Sequence, residues 1–213
     1  MYRIYLPGIL AMAAVVVASN ILVQYLFGQW LTWGAFTYPL AFLVTDVMNR
    51  VYGVGPARKV VVAGFLVGVV CSLIGSQIML QGDGYEYAAV PLRVAVASGI
   101  AFLIAQLTDV AIFNRLRAGA WWRAPLASTL IGSALDTALF FTIAFSAAIP
   151  FFGPMANEAV AWSWDAVPLL GVGPALPLWV SLAVADWMVK LSLALVALVP
   201  FRMIVGKLTV QTT

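Results

Sequence analysis

Six apolar stretches, roughly residues 5–27, 33–53, 59–80, 90–114, 124–150 and 174–200, leave this chain few ways to fold. About 20 apolar residues carry a helix across the hydrocarbon core of a bilayer. In lipid, every backbone N–H and C=O of such a segment must be bonded within the protein, which selects helices or closed barrels. Stretches this long predict helices. The breaks between them are marked by Gly and Pro, as in "YGVGPARK" and "FFGPMANEAV". The expectation is an all-α, polytopic membrane protein: one transmembrane domain of six helices filling all 213 residues. Only 9% of residues are charged, against about a quarter in soluble domains. The first apolar run is too long for a cleavable leader and is expected to stay in the membrane.

The connections sort by charge. Arg3, Arg58, Lys59, Arg115, Arg117, Arg123, Arg202 and Lys207 fall in alternate connections and at both ends, with no acid among them. Asp83, Glu86, Glu158 and Asp165 fall in the other connections, with no base. Basic loops stay on the cytoplasmic side. Both termini are therefore expected in the cytoplasm, which requires an even number of spans. The net charge of +3 reflects this topology, since the bases are too dispersed to form a nucleic-acid surface. The last external connection, about 153–173, carries Trp162 and Trp164 and is expected along the outer interface. Trp121 and Trp122 are expected at the inner one. No connection can hold a soluble catalytic domain, so function must reside within the bundle. The chain has no histidine and a single cysteine, Cys71. No metal, cofactor or disulfide framework is expected.

Seven charged residues remain inside the spans: Asp46, Arg50, Arg93, Asp109, Asp136, Asp186 and Lys190. Arg93 lies near the outer end of its span, within snorkelling reach of the headgroups. A charge at the centre of a helix costs about 2.5–3.5 kcal/mol on insertion scales, so the other six need a reason. Asp46 with Arg50 and Asp186 with Lys190 are each four apart, which puts acid beside base on one helix face. The first pair is expected to be structural or gating, near the inner end. Asp109 and Asp136 have no base on their own helix. Each must find a partner across the bundle, hold a proton, or face water. The faces around them read Phe102, Gln106, Asp109, Phe113 and Thr129, Ser133, Asp136, Phe140. Polar groups and aromatics on one stripe suit a cavity for a flat, hydrogen-bonding ligand better than they suit interhelical hydrogen bonding alone. Asn20 and Gln24 add an amide pair on the first span. "TDVMNR" is echoed by "TDVAIFNR" and, more loosely, by "ADWMVK". Ala14 with Ala18 and Gly64 with Gly68 form small-residue faces that permit close helix contact, within one bundle or in a homodimer.

The stretches "YPLAFLVTDVMNRVYG", "QLTDVAIFNRLR", "WWRAPLASTLIGSALDT", "FFTIAF" and the Asp-x-x-x-Lys of "VADWMVK" resemble the queuosine precursor transporter family of vitamin uptake transporters. The resemblance implies a six-helix importer of the bacterial inner membrane. The implied cargo is a deazaguanine base: the cyano or aminomethyl precursor of queuosine, or queuine. A guanine-type edge presents a ring N–H and an exocyclic amine, which one carboxylate can accept together. Asp136 or Asp109 is the expected acceptor. Gln106, Asn20 or Gln24 would donate to the base carbonyl, Phe102, Phe140 or Trp179 would stack on the ring, and Lys190 would neutralise or release Asp186. Ser133 lies on the same stripe. The alternative is a substrate-binding subunit of an ATP-driven vitamin or base uptake system. Intramembrane enzymes fit poorly. A rhomboid-type protease needs a histidine, an aspartyl protease would show Gly-x-Gly-Asp where "GSAL" precedes Asp136, and a lipid transferase needs clustered acids.

Overall fold

The structure, a computed structural model, describes residues 5–82, 84 and 86–210. Arg3 and Asp83, used in the charge argument, lie outside the described residues. The helices are α1 (Leu6–Leu22), α2 (Gly34–Thr37), α3 (Leu40–Tyr52), α4 (Val54–Gly75), α5 (Leu92–Leu116), α6 (Arg123–Phe145), α7 (Gly153–Glu158), α8 (Leu178–Val196) and α9 (Leu198–Val210). Three short antiparallel hairpins join them: β1 (Leu26–Phe27) with β2 (Leu31–Thr32), β3 (Met79–Gln81) with β4 (Glu86–Ala88), and β5 (Ala166–Pro168) with β6 (Ala175–Pro177). They follow α1, follow α4 and precede α8; the last two lie in the acidic connections, and the connection after α1 contains neither acid nor base.

Four helices, α4, α5, α6 and α8, are long and apolar enough to cross a bilayer. The 17-residue α1 is apolar but shorter. The expected second span is divided. Pro39 has no N–H to give, so the chain passes from α2 to α3 by tighter bonds, Ala41 N–H to Tyr38 C=O (3.0 Å) and Phe42 N–H to Pro39 C=O (3.1 Å). The sixth stretch breaks for the same reason. Pro200 cannot donate to Val196, so α8 ends there and α9 sets off in its own direction, carrying Arg202 and Lys207 on a helix rather than a loop.

α5 and α6 form the most extensive helix pair; α1 lies on α4, α3 spans α4 and α5, α8 lies on α6, and α9 closes on α3. The main core joins α1, α3, α4 and α5 through Met12, Met48, Val60, Val61 and Phe102. A second core of Phe141, Phe145 and Val160 sits at one end, and a third of Val47, Phe113 and Phe201 at the other. Leu10, Leu66, Leu73 and Leu195 are more than half exposed, an apolar outer surface that suits lipid.

Arg93 does not snorkel. It is fully buried and donates to the Ile143 carbonyl (2.8 Å), the Ser146 carbonyl and Asn157 Oδ1 (2.7 Å). The last carbonyls of α6 lack helical partners and sit at the negative end of the helix dipole, so they hold the guanidinium more closely than headgroups would. The small-residue face on α4 is used within the molecule. A Cβ on Gly64 would lie 2.5 Å from Met12 Cγ and 3.1 Å from Phe102 Cζ, whereas one on Gly68 would meet Val16 at an ordinary 3.6 Å. Gly64→Ala should therefore lower the stability of the detergent-solubilised protein by about 1–3 kcal/mol through overpacking. Gly68→Ala should leave it unchanged or slightly higher. Thermal melts of the two variants side by side check this, and equal melting temperatures would refute the α1–α4 contact.

Candidate functional site

Thr129, Ser133 and Asp136 of α6 recur every three or four positions along one face of this helix, and Ser128 and Thr137 flank that stripe. They fall into two layers. Thr129 and Asp136 are seven residues apart, which separates the layers by about 10 Å along the axis.

The first layer is built on Lys190 of α8. Its ammonium is 2.7 Å from Asp136 Oδ2 and 2.5 Å from Asp186 Oδ2, and it donates to Thr137 Oγ1 at 3.0 Å. These are the ion pairs among the described residues. Thr137 donates to Asp186 Oδ2 (2.8 Å), and the Tyr38 hydroxyl donates to Asp136 Oδ1 (3.0 Å). The ammonium also lies 5.4 Å from the centre of the Tyr38 ring, whose other neighbour is Phe102, edge-on at 6.1 Å. Lys190 and Asp136 are almost wholly buried, while the Asp186 side chain keeps 15% of its surface open. Two carboxylates share one ammonium, so the layer carries one negative charge more than its lysine balances.

The second layer joins α3, α5 and α6. Thr45 donates to Gln106 Oε1 (2.6 Å) and Asn49 donates to the Val110 carbonyl (3.0 Å). These two bonds fix the register of α3 on α5 and bring Asp46 and Asp109 to the same level of the bundle. Ser128 and Thr129 each donate to Asp46 at 3.2 Å. Asp109 is fully buried with no hydrogen-bond partner on either oxygen, and Gln106 Nε2 and Asn49 Oδ1 are likewise unpartnered. A narrow apolar cleft of about 100 Å³ runs between α3, α6, α8 and α9 and reaches Asp46 and Thr129.

The structure thus gathers Asp136, Asp186, Lys190 and Phe102 in one layer, and Asp46, Asp109 and Gln106 in the other. The anticipated Asp46–Arg50 ion pair does not form. Arg50 instead donates to the carbonyls of Arg117 (2.7 Å) and Trp121 (3.3 Å) and stacks on Phe113, while Asp46 turns to the hydroxyls of α6. Both ends find donors or acceptors on neighbouring elements, which the spacing within α3 could not reveal. Asn20 returns its amide to the Val16 carbonyl of its own helix, and Gln24 bonds the exposed Ala89 carbonyl, so neither enters a layer. Ser133 bonds the Leu130 carbonyl of α6. Phe140 packs edge-on against Phe141 and Phe145, and Trp179 joins that aromatic core. Tyr38, Thr45, Ser128 and Thr137 were not anticipated as site residues. The one signal available was a hydroxyl or phenol at helical spacing from an intramembrane acid.

The description of the putative vitamin uptake transporter family matches residues 32–205. The chain belongs to that family. It is a family of transporters, not of enzymes, and with its apolar helices it identifies a multi-pass protein of the inner membrane. The chain is 39% identical over 141 residues to the queuosine precursor transporter of Escherichia coli, covering 62% of this chain and 64% of that one. It is 34% identical over 177 residues to a probable queuosine precursor transporter of Haemophilus influenzae, covering 79% and 66%. A probable queuosine precursor transporter of Bacillus subtilis is 26% identical over 187 residues, covering 81% and 71%. The chain thus spans just under two thirds of the first two relatives. No solved structure matches it.

Lys190→Met would leave two buried carboxylates without their cation. Removing one partner of a buried pair typically costs about 3–5 kcal/mol. We expect the solubilised variant to melt well below the parent and Lys190→Met/Asp136→Asn to recover part of the loss, as measured by thermal melts of all three proteins. Additive losses in the double variant would show that the two groups are not coupled.

Proposed function

We propose that this protein imports queuosine precursors, deazaguanine bases in the cyano or aminomethyl form, and that the layer around Lys190 receives them. The observation that carries this reading is the sharing of one buried ammonium between two carboxylates. The arrangement has an unspent acceptor at Asp186, the more open of the two acids. A deazaguanine offers what the layer lacks: a ring N–H and an exocyclic amine aimed the same way, which a carboxylate accepts as a charge-assisted pair. Lys190, released from that carboxylate, can donate to the base carbonyl. Tyr38 and Phe102 supply aromatic surface beside it. The aminomethyl form brings a cation of its own, which the excess negative charge suits. The relatives named as queuosine precursor transporters support the cargo class.

The proposed topology has six crossings with both termini in the cytoplasm. The four long helices supply most of them, and α1 and the broken rod α2–α3 supply the rest. Arg58, Lys59, Arg115, Arg117, Arg123, Arg202 and Lys207 then fall on the inner side, and Glu86, Glu158 and Asp165 on the outer.

The test uses cells that cannot make queuosine precursors and lack their own importer. Expression of this protein with a precursor at low concentration should restore queuosine in tRNA. Asp136→Asn and Asp186→Asn should each reduce uptake about tenfold or more, the loss expected for a hydrogen bond to a charged group. If both variants insert correctly and import normally, the layer is not the cargo site. Uptake by the purified protein in liposomes, with no ATP-hydrolysing partner, separates this reading from that of a binding subunit.

A further inference from the structure

We infer that Asp46 and Asp109 form a proton-binding site, distinct from the cargo layer, through which import is coupled to the proton gradient. The coupling rests on the transport function proposed above; the proton site itself does not. Two carboxyl groups come together here from α3 and α5, between the Thr45–Gln106 and Asn49–Val110 bonds that fix the register and beside the same stretch of α6, where Asp46 accepts from Ser128 and Thr129 and Asp109 lies against Gly132. Asp46 is 2% exposed and Asp109 fully buried. Like charges this close, away from water, cannot both persist, and the pair does best holding one proton between them.

The surrounding elements offer no other remedy. α6 faces the pair with the neutral hydroxyls of Ser128 and Thr129. On α3 itself, Arg50 spends its donors on the carbonyls of Arg117 and Trp121. On α5, Arg117 turns to the Arg50 carbonyl and Arg115 is exposed. The Lys190 of α8 is held by Asp136 and Asp186, the Arg202 of α9 is stacked on Trp121, and Arg58 and Lys59 of α4 are exposed.

Asp109 also has two unpartnered oxygens, one of which a proton shared with Asp46 would satisfy. The ligand must be small. A methyl on Gly132 would already lie 2.8 Å from Phe42 and 3.4 Å from Asp109 Cβ, and Asp109 does not line the cleft. A proton fits where a base does not. Asp46 and Thr129 do line the cleft, whose walls belong to the α8–α9 break. This gives the pair a route for proton exchange through the cleft between α3, α6 and the α8–α9 break.

The site is tested without cargo by infrared spectroscopy of the purified protein at neutral pH. The parent should show a protonated-carboxyl C=O stretch that Asp46→Asn/Asp109→Asn abolishes and Asp136→Asn leaves in place. A parent without that band, or a band unchanged in the double variant, would overturn the assignment. Each single variant at the pair should shift the band, which keeps the test open if the double variant fails to fold. Coupling is tested in proteoliposomes of the parent with the cyano precursor, the membrane potential held at zero. One proton per cargo and a gradient of one pH unit sustain about tenfold accumulation. Exchange of labelled for unlabelled cargo without accumulation would overturn the coupling. Absence of both would overturn the cargo assignment and the coupling, and the infrared result would still decide the proton site.

Discussion

The ammonium of Lys190, held between Asp136 and Asp186, is the contact on which the packing of α8 against α6 depends. It ties α8 to α6, and through the Tyr38 hydroxyl on Asp136 it reaches the turn between α2 and α3. In lipid these groups have no water to return to, so each is fixed by the others. The apolar cores on either side can repack with Leu, Ile or Phe at modest cost. A charge left alone at this depth has no such option. The helices that carry the trio must therefore keep their relative rotation, and that rotation brings the rest of the α6 polar stripe inward, toward α3 and α5.

Backbone carbonyls do the work that acids might have been expected to do for the arginines. Arg93 binds the free carbonyls at the end of α6, and Arg50 binds those of the turn after α5. A guanidinium has several donors in a planar fork, so it can satisfy itself on oxygens that carry only partial charge. A lysine, a compact and strongly hydrated point charge, is better matched by whole anions. This difference explains why the one interior lysine sits between carboxylates while neither Arg93 nor Arg50 is ion-paired.

Much of the fold was legible because its rules are local. Apolar length gave the helices, and Pro39 and Pro200 mark the two places where an expected rod divides. The Asp186–Lys190 pair was legible from spacing, because four residues on one helix fix the geometry. That Asp136 needed a partner from another helix was also legible; that the partner would be this same lysine was not. The Asp46–Arg50 expectation failed although its spacing was identical. The hydroxyls of Ser128 and Thr129 and the carbonyls of Arg117 and Trp121 come from elements distant in sequence, and they outcompete the local pair. Tyr38 was hidden because an aromatic in an apolar run looks the same whether it packs or donates. Asn20 and Gln24 misled in the opposite sense: an amide that returns to a nearby backbone carbonyl leaves the same mark in sequence as one that reads a ligand.

The interior charges do not balance, and that imbalance argues for a protein that carries something. Asp46, Asp109, Asp136 and Asp186 face one lysine, Lys190, since the arginines are turned to carbonyls. Fully ionised, this set would leave three negative charges uncompensated in the bundle. A structural protein could remove them by replacing Asp with Asn or Leu, which would fold at less cost. Retaining them is useful when the compensating positive charge or donor arrives from outside and departs again. A proton on the Asp46–Asp109 pair removes one negative charge. A base edge with two donors, or a cargo with its own cation, offsets another at Asp186. The two layers then ask for different ligands because their surroundings differ. In one, Asp109 is packed so tightly that only a proton reaches it, and the other keeps one carboxylate partly open beside aromatic surface.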